Sequence, residues 1–182
     1  MGRTSKLYTT NPIHNARISV DRRSLKILSK ATTEPLFPNL RHLRCASADD
    51  VLLLLHLPFP SLISLDLGAL DVSATQNYLE SFPSSSPNVR SLFIRLGVFG
   101  VTSSGVDFNN IRRWRNLRTL VCPQISLDVD ALTSLSRMPM LTRLIDKLSA
   151  TLPAFDSPLS FSTLHRLTLR SECLALIQRL LS

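Results

Sequence analysis

The sequence predicts an α/β chain in which short parallel strands line one side, helices or loops cover the other, and successive units stack into a curved solenoid. One apolar pattern recurs six times at spacings of 22, 27, 28, 24 and 23 residues, a period that dictates architecture more firmly than local propensity does. Helix-start signals stand between consecutive copies, which makes each unit strand then helix. The composition allows it: 182 residues, 44% apolar and 19% charged, suffice for one sizeable core and exclude a disordered or collagenous chain.

The copies are Phe-Pro-Asn-Leu-Arg-His-Leu-Arg-Cys (37–45), Phe-Pro-Ser-Leu-Ile-Ser-Leu-Asp-Leu (59–67), Ser-Pro-Asn-Val-Arg-Ser-Leu-Phe-Ile (86–94), Trp-Arg-Asn-Leu-Arg-Thr-Leu-Val-Cys (114–122), Met-Pro-Met-Leu-Thr-Arg-Leu-Ile-Asp (138–146) and Phe-Ser-Thr-Leu-His-Arg-Leu-Thr-Leu (161–169). Pro holds the second position in four of them and Asn the third in three. A degenerate seventh copy is expected at Arg17-Ile18-Ser19-Val20. In Leu-x-x-Leu-x-Leu the last two apolar positions are two apart, so a strand turns both to the core while the first enters from a turn. Pro ahead of each unit ends the preceding helix.

Helices are expected from Ser47-Ala48-Asp49-Asp50 into Val51 to Leu57, and from a capping box at Ser73-Ala74-Thr75-Gln76 into Tyr78, Leu79 and Phe82. Two more follow Asp128, with Ala131, Leu132 and Leu135 inward, and Ser171, with Leu174, Ile177 and Leu180 inward. Ser84-Ser85-Ser86-Pro87 reads as a turn and Ser149 to Ser160 as an irregular loop. Residues 1–16 read as a basic, poorly ordered arm and residues 17–182 as the solenoid of about six to seven repeats.

On these units, and most of all on residues 34–46, Glu-Pro-Leu-Phe-Pro-Asn-Leu-Arg-His-Leu-Arg-Cys-Ala, the chain resembles the divergent leucine-rich-repeat regions of F-box proteins, particularly the fungal set with recurring Phe-Pro-Asn-Leu-Arg-x-Leu. The resemblance runs over residues 17–182. It implies a substrate-recognition subunit of an SCF-type ubiquitin ligase, whose F-box binds a Skp-type adaptor while the repeats bind the protein to be ubiquitinated. The F-box with its Leu-Pro-x-Glu-like start is absent and residues 1–16 are too short for it, so a fragment of a longer product is expected and a Skp-type adaptor enters only with that product. The Asn that forms a ladder beyond the third apolar position in extracellular repeats is replaced by Ala48, Leu70, Gly97, Ile125, Ser149 and Glu172, which points away from a receptor ectodomain.

Enzymatic chemistry finds no support. Phosphate loop, Gly-x-Gly-x-x-Gly, His-Glu-x-x-His and Gly-x-Ser-x-Gly are all missing, so no catalytic residue, metal or cofactor is expected. His14, His42, His56 and His165 are far apart, and Cys45, Cys122 and Cys173 lack zinc or disulfide-scaffold spacing. With no apolar leader, no Asn-x-Ser/Thr acceptor and no apolar run of membrane length, an intracellular location is expected, cytoplasmic or nuclear, and no membrane partner.

The net charge of +8 is uneven: residues 1–30 hold seven bases and one acid, leaving 14 bases and 12 acids in the rest. The residues alternating with the core Leu must face the concave side, and they hold six bases (Arg44, Arg95, Arg143, Lys147, Arg166, Arg170), one acid (Asp66) and a central apolar trio (Phe93, Val121, Ile145). An apolar anchor inside a charged rim is the arrangement of an interaction surface, for a protein partner with acidic character. The alternative is a basic surface for nucleic acid or acidic partners, using the N-terminal arm and Arg112-Arg113-Trp114-Arg115. Trp114 weighs against it, since it holds the position of Phe37, Phe59 and Phe161 and so reads as core. A gene fragment without retained function is the third reading.

Overall fold

A computed structural model describes residues 15–17, 35, 37–45, 57–96, 106–148 and 161–170. Strands β1 (Asn15–Arg17), β2 (His42–Cys45), β3 (Ser64–Leu70), β4 (Ser91–Leu96), β5 (Thr119–Leu127), β6 (Arg143–Leu148) and β7 (Arg166–Arg170) form one seven-stranded sheet in sequence order. Every neighbouring pair is parallel. The chain is therefore α/β, and because parallel neighbours need a crossover between them, each connection must return to the starting end of the sheet. Among the described residues three connections carry helix: α1 (Val72–Ser85) after β3, a 3-10 helix (Phe108–Arg113) before β5, and α2 (Val129–Ser136) after β5.

The apolar pattern sets the register. The second Leu of each unit falls in one row, Leu43, Leu65, Leu92, Leu120, Leu144 and Leu167, paired strand to strand. All are buried except Leu167, which is 36% exposed. Leu40, Leu62, Val89, Leu117 and Leu141 enter the same core from the turns, with Cys45, Leu67, Ile94 and Cys122 at the third position. Burial alternates along β2 and β4, as a period of two requires. Tyr78, Leu79 and Phe82 of α1, Phe108 and Ile111 of the 3-10 helix, and Ala131, Leu132 and Leu135 of α2 close this core from the other side.

Five of the six units begin with the same hydrogen-bonded turn. The carbonyl of the unit's first residue accepts from the N–H of its fourth: Phe37 from Leu40 at 3.2 Å, Phe59 from Leu62 at 3.2 Å, Ser86 from Val89 at 3.5 Å, Trp114 from Leu117 at 3.0 Å and Phe161 from Leu164 at 3.4 Å. Pro38, Pro60 and Pro87 thus sit at the second corner of a β-turn, where a fixed φ near −65° costs nothing and no N–H is required. One residue past the turn, a column of carbonyls each accepts two N–H groups from the next unit: Arg41 from Ile63 and Ser64, Ile63 from Arg90 and Ser91, Arg90 from Arg118 and Thr119, Arg118 from Thr142 and Arg143, Thr142 from His165 and Arg166, all at 2.7–3.0 Å.

Side chains tie the turns together. Asn88 Nδ2 donates to Pro60 O at 2.7 Å and Asn116 Nδ2 to Pro87 O at 2.9 Å, each reaching back one unit. Thr163, at the same third position, donates to Leu141 O at 2.9 Å. Behind the turns the aromatic rings stack: Phe37 on Phe59 with centroids 6.5 Å apart, Phe59 on Phe82 at 6.0 Å, and Phe82 on Trp114 at 6.1 Å. The third unit opens on Ser86, which has no ring to offer, and Phe82 from the preceding helix fills that place in the stack.

Local expectations are corrected at three places. The cap of α1 is Asp71, whose carboxylate accepts from Ala74 N at 2.6 Å, so Ser73 lies inside the helix and the box at Ser73–Gln76 does not form. The Asp71 carboxylate is two residues nearer the end of β3 and captures the first turn before Ser73 is reached. Ser84 and Ser85 belong to α1, and only Ser86 and Pro87 turn, because the helix persists through Pro83 until Ser86 N–H closes on Phe82 O at 3.0 Å. Finally, β1 pairs Ala16 with Leu43 and Arg17 with Arg44, so the first strand begins at Asn15 and its frame is offset from Arg17-Ile18-Ser19-Val20. Asp128 caps α2 as expected, accepting from Ala131 N at 2.8 Å. The helices expected after Ser47 and Ser171 and the loop at 149–160 lie outside the described residues.

Candidate protein-binding face

The sheet presents its non-core face in two complete rows. Register pairs His42, Ser64, Ser91, Thr119, Arg143 and Arg166 in one row, and Arg44, Asp66, Phe93, Val121, Ile145 and Thr168 in the next. The second row brings the three apolar side chains side by side on β4, β5 and β6, each half-buried. A side chain opposite its neighbour in a parallel pair stands about 4.8 Å away, so Phe93, Val121 and Ile145 form one apolar strip roughly 10 Å long.

Asp66 organises the strip's near end. It faces Arg44 in register, and its Oδ2 lies 3.5 Å from Arg44 Nε and 2.9 Å from Arg95 Nη2. Arg95 reaches it diagonally, two residues beyond Phe93, which is Asp66's direct neighbour on β4. The carboxylate is 20% exposed and the two guanidinium groups 53% and 48%. Pairs as open as these contribute little to stability, on the order of 0–1 kcal/mol, but they fix where two arginines stand. The second carboxylate oxygen, Oδ1, is buried and takes no hydrogen bond among the described residues.

The third row does not continue. Lys147 pairs with Arg170, yet the residue opposite Lys147 on β5 is Ser126 and not Pro123. Pro123, Gln124 and Ile125 are accommodated between positions that are consecutive on β6, a bulge placed at the one strand residue that cannot donate to a ladder. Lys147 and Arg170 thus adjoin each other, while Arg143 and Arg166 are neighbours in the first row and both exposed. All ten residues expected on this face lie on the strands, and the register brings Arg44, Asp66, Phe93, Val121 and Ile145 into a single line.

Sequence reasoning missed a further column. Arg41, Arg90 and Arg118 follow the first apolar residue of their units, are exposed, and supply three of the doubly accepting carbonyls. Counting alternation outward from the second Leu skips this position, because the chain is still leaving its turn there and two consecutive residues both point away from the core. His165, in the same column, is exposed, and its Nδ1 lies 2.8 Å from Thr163 O.

The basic run before β5 serves the core instead. Trp114 is 3% exposed, and its Nε1 donates to Leu79 O at 3.2 Å. Arg113 Nη1 donates to Glu80 O at 3.2 Å and Arg112 Nη2 to Ser134 Oγ at 3.4 Å, tying the 3-10 helix to α1 and α2. Asn110 Nδ2 and Gln76 Nε2 both donate to Glu80 Oε1, at 3.1 and 2.8 Å. Among the described residues no group of three or more His, Cys, Asp or Glu could hold a metal ion, and no helix is long and apolar enough to cross a membrane. No family model, no curated protein and no solved structure matches this chain.

Proposed function

We propose that the chain is a leucine-rich-repeat protein-interaction module that holds a partner protein across its sheet face and performs no catalysis itself. The carrying observation is the in-register strip Phe93, Val121 and Ile145, half-buried and flanked by Arg44, Arg95, Arg143 and Arg166. Supporting the repeat reading are the unit-opening turn shared by five of the six units, the carbonyl column and the single Leu row, which recur in step along a parallel sheet. An apolar strip inside a polar rim is what the energetically dominant centre of a protein interface looks like. By its likeness to F-box repeat regions, the partner is a protein selected for ubiquitination, and delivery to the ligase falls to a Skp-type adaptor bound by an F-box elsewhere in a longer product. The setting is intracellular.

The nucleic-acid alternative loses its stacking residue, since Trp114 is enclosed between Phe82 and Leu79 O. The test is a photo-crosslinking residue placed at Val121 in cells. One discrete protein adduct is expected, lost in Phe93→Asp at unchanged thermal stability. Adducts identical in Phe93→Asp and the parent chain would refute a binding strip.

A further inference from the structure

Two consecutive positions open every strand on the non-core side. In the six units they are Arg41-His42, Ile63-Ser64, Arg90-Ser91, Arg118-Thr119, Thr142-Arg143 and His165-Arg166. Five of the six pairs hold an arginine and none holds an acid. Arg41, Arg90, Arg118, Arg143 and Arg166 are all exposed, and none forms an ion pair among the described residues. The two arginines on this face that are paired, Arg44 and Arg95, share Asp66. The register stacks the five along the direction that crosses the strands.

We infer that this arginine line is the docking rail for an acidic, extended segment of the partner protein, laid across the strands with its apolar side chains over Phe93, Val121 and Ile145. The inference rests on the binding face proposed above and adds the chemistry of its occupant. Charge complementarity favours it: a line of exposed like charges with no acid among its twelve positions attracts an anionic partner, and guanidinium groups bind carboxylates in a bidentate fork. The dimensions agree. From β2 to β7 there are five strand gaps of about 4.8 Å, roughly 24 Å, which an extended peptide spans in about seven residues at about 3.3 Å each. The apolar strip lies two residues along the strand from Arg143 and three from Arg90 and Arg118, about 7–10 Å. A peptide alternating acidic and apolar side chains therefore reaches both. Nucleic acid fits less well, because the described residues expose no aromatic pair on which bases would stack.

The experiment measures fluorescence anisotropy of the full chain with three probes: a labelled peptide of alternating Glu and Leu, roughly ten residues long, the same peptide with Lys for Glu, and an oligothymidylate of similar length. Expected is binding of the Glu peptide alone, weakened about tenfold or more by Arg90→Glu/Arg118→Glu/Arg143→Glu, and again by Arg90→Gln/Arg118→Gln/Arg143→Gln, which removes charge without adding acids. Arg115→Glu/Arg137→Glu, at exposed arginines off the line, should leave it unchanged. Equal binding of the Glu and Lys peptides, a loss in Arg115→Glu/Arg137→Glu equal to that in the triple variants, or preference for the oligothymidylate would overturn the inference. The crosslink at Val121 separates the two proposals: an adduct that survives the Gln variants while the peptide arm fails leaves the binding face standing and removes only the acidic occupant.

Discussion

The indole of Trp114 completes a hydrogen bond that Pro83 leaves open: its Nε1 donates to Leu79 O at 3.2 Å. Leu79 is four residues before Pro83 inside α1, so the helical donor for that carbonyl would be the N–H that proline lacks. Helix α1 keeps its proline because Trp114, two repeats further on, supplies the donor from 35 residues away.

This relationship predicts a coupled pair of substitutions. Trp114→Phe keeps the stack on Phe82 but orphans a buried carbonyl, and should cost about 1–3 kcal/mol in urea denaturation. In a Pro83→Ala background the backbone N–H restored at that position takes Leu79 O, and the same substitution should cost clearly less. Equal costs in both backgrounds would mean that the indole bond carries no weight.

The helix caps discriminate between two readings of the same stretch. Asp71→Ala and Asp128→Ala should each lower stability by about 1 kcal/mol, through lost bonds to Ala74 N and Ala131 N. Ser73→Ala should change it by less than about 0.5 kcal/mol, since Ser73 is exposed and inside the helix. Thermal or urea midpoints decide this.

The turn-to-turn bonds should be weak individually. Asn116→Ala removes the link to Pro87 O and Asn88→Ala the link to Pro60 O, both exposed. A loss of about 0.5–1.5 kcal/mol each is expected. Hydrogen exchange should show faster opening of the unit boundary that was cut.

Equivalent leucines should differ along the array. Leu144 is fully buried, and Leu144→Ala should cost about 2–5 kcal/mol. Leu167 occupies the same row on β7 but is 36% exposed, so Leu167→Ala removes less buried surface and should cost under about 2 kcal/mol. Matching urea curves measured on the two variants give the comparison.

Asp66→Asn should alter stability by no more than about 1 kcal/mol, because both of its ion pairs are open to water. It releases Arg44 and Arg95 on the proposed binding face and should therefore tighten the Glu-Leu peptide, most visibly at low salt. Weaker peptide binding in Asp66→Asn would mean that the carboxylate acts by positioning the two arginines.

The period of the pattern, the row of core leucines, the cap at Asp128 and the apolar strip at Phe93, Val121 and Ile145 were legible in the chain alone, because each follows from spacing: a period of two sets which side chains share a face, and equal spacing sets which ones align. Other features depended on partners distant in sequence. Whether Asp71 or Ser73 caps α1 turns on where β3 ends. That Phe82 stands in for the ring missing at Ser86, and that Pro83 is tolerated, turns on the approach of Trp114 from the fourth unit. The arginine line at Arg41, Arg90 and Arg118 escaped alternation because a residue leaving a turn obeys neither helical nor strand periodicity. Periodicity is local and one-dimensional, so it sorts residues into inside and outside. Only the stacking of one unit on the next decides which outside residues meet, and which backbone groups find their donors there.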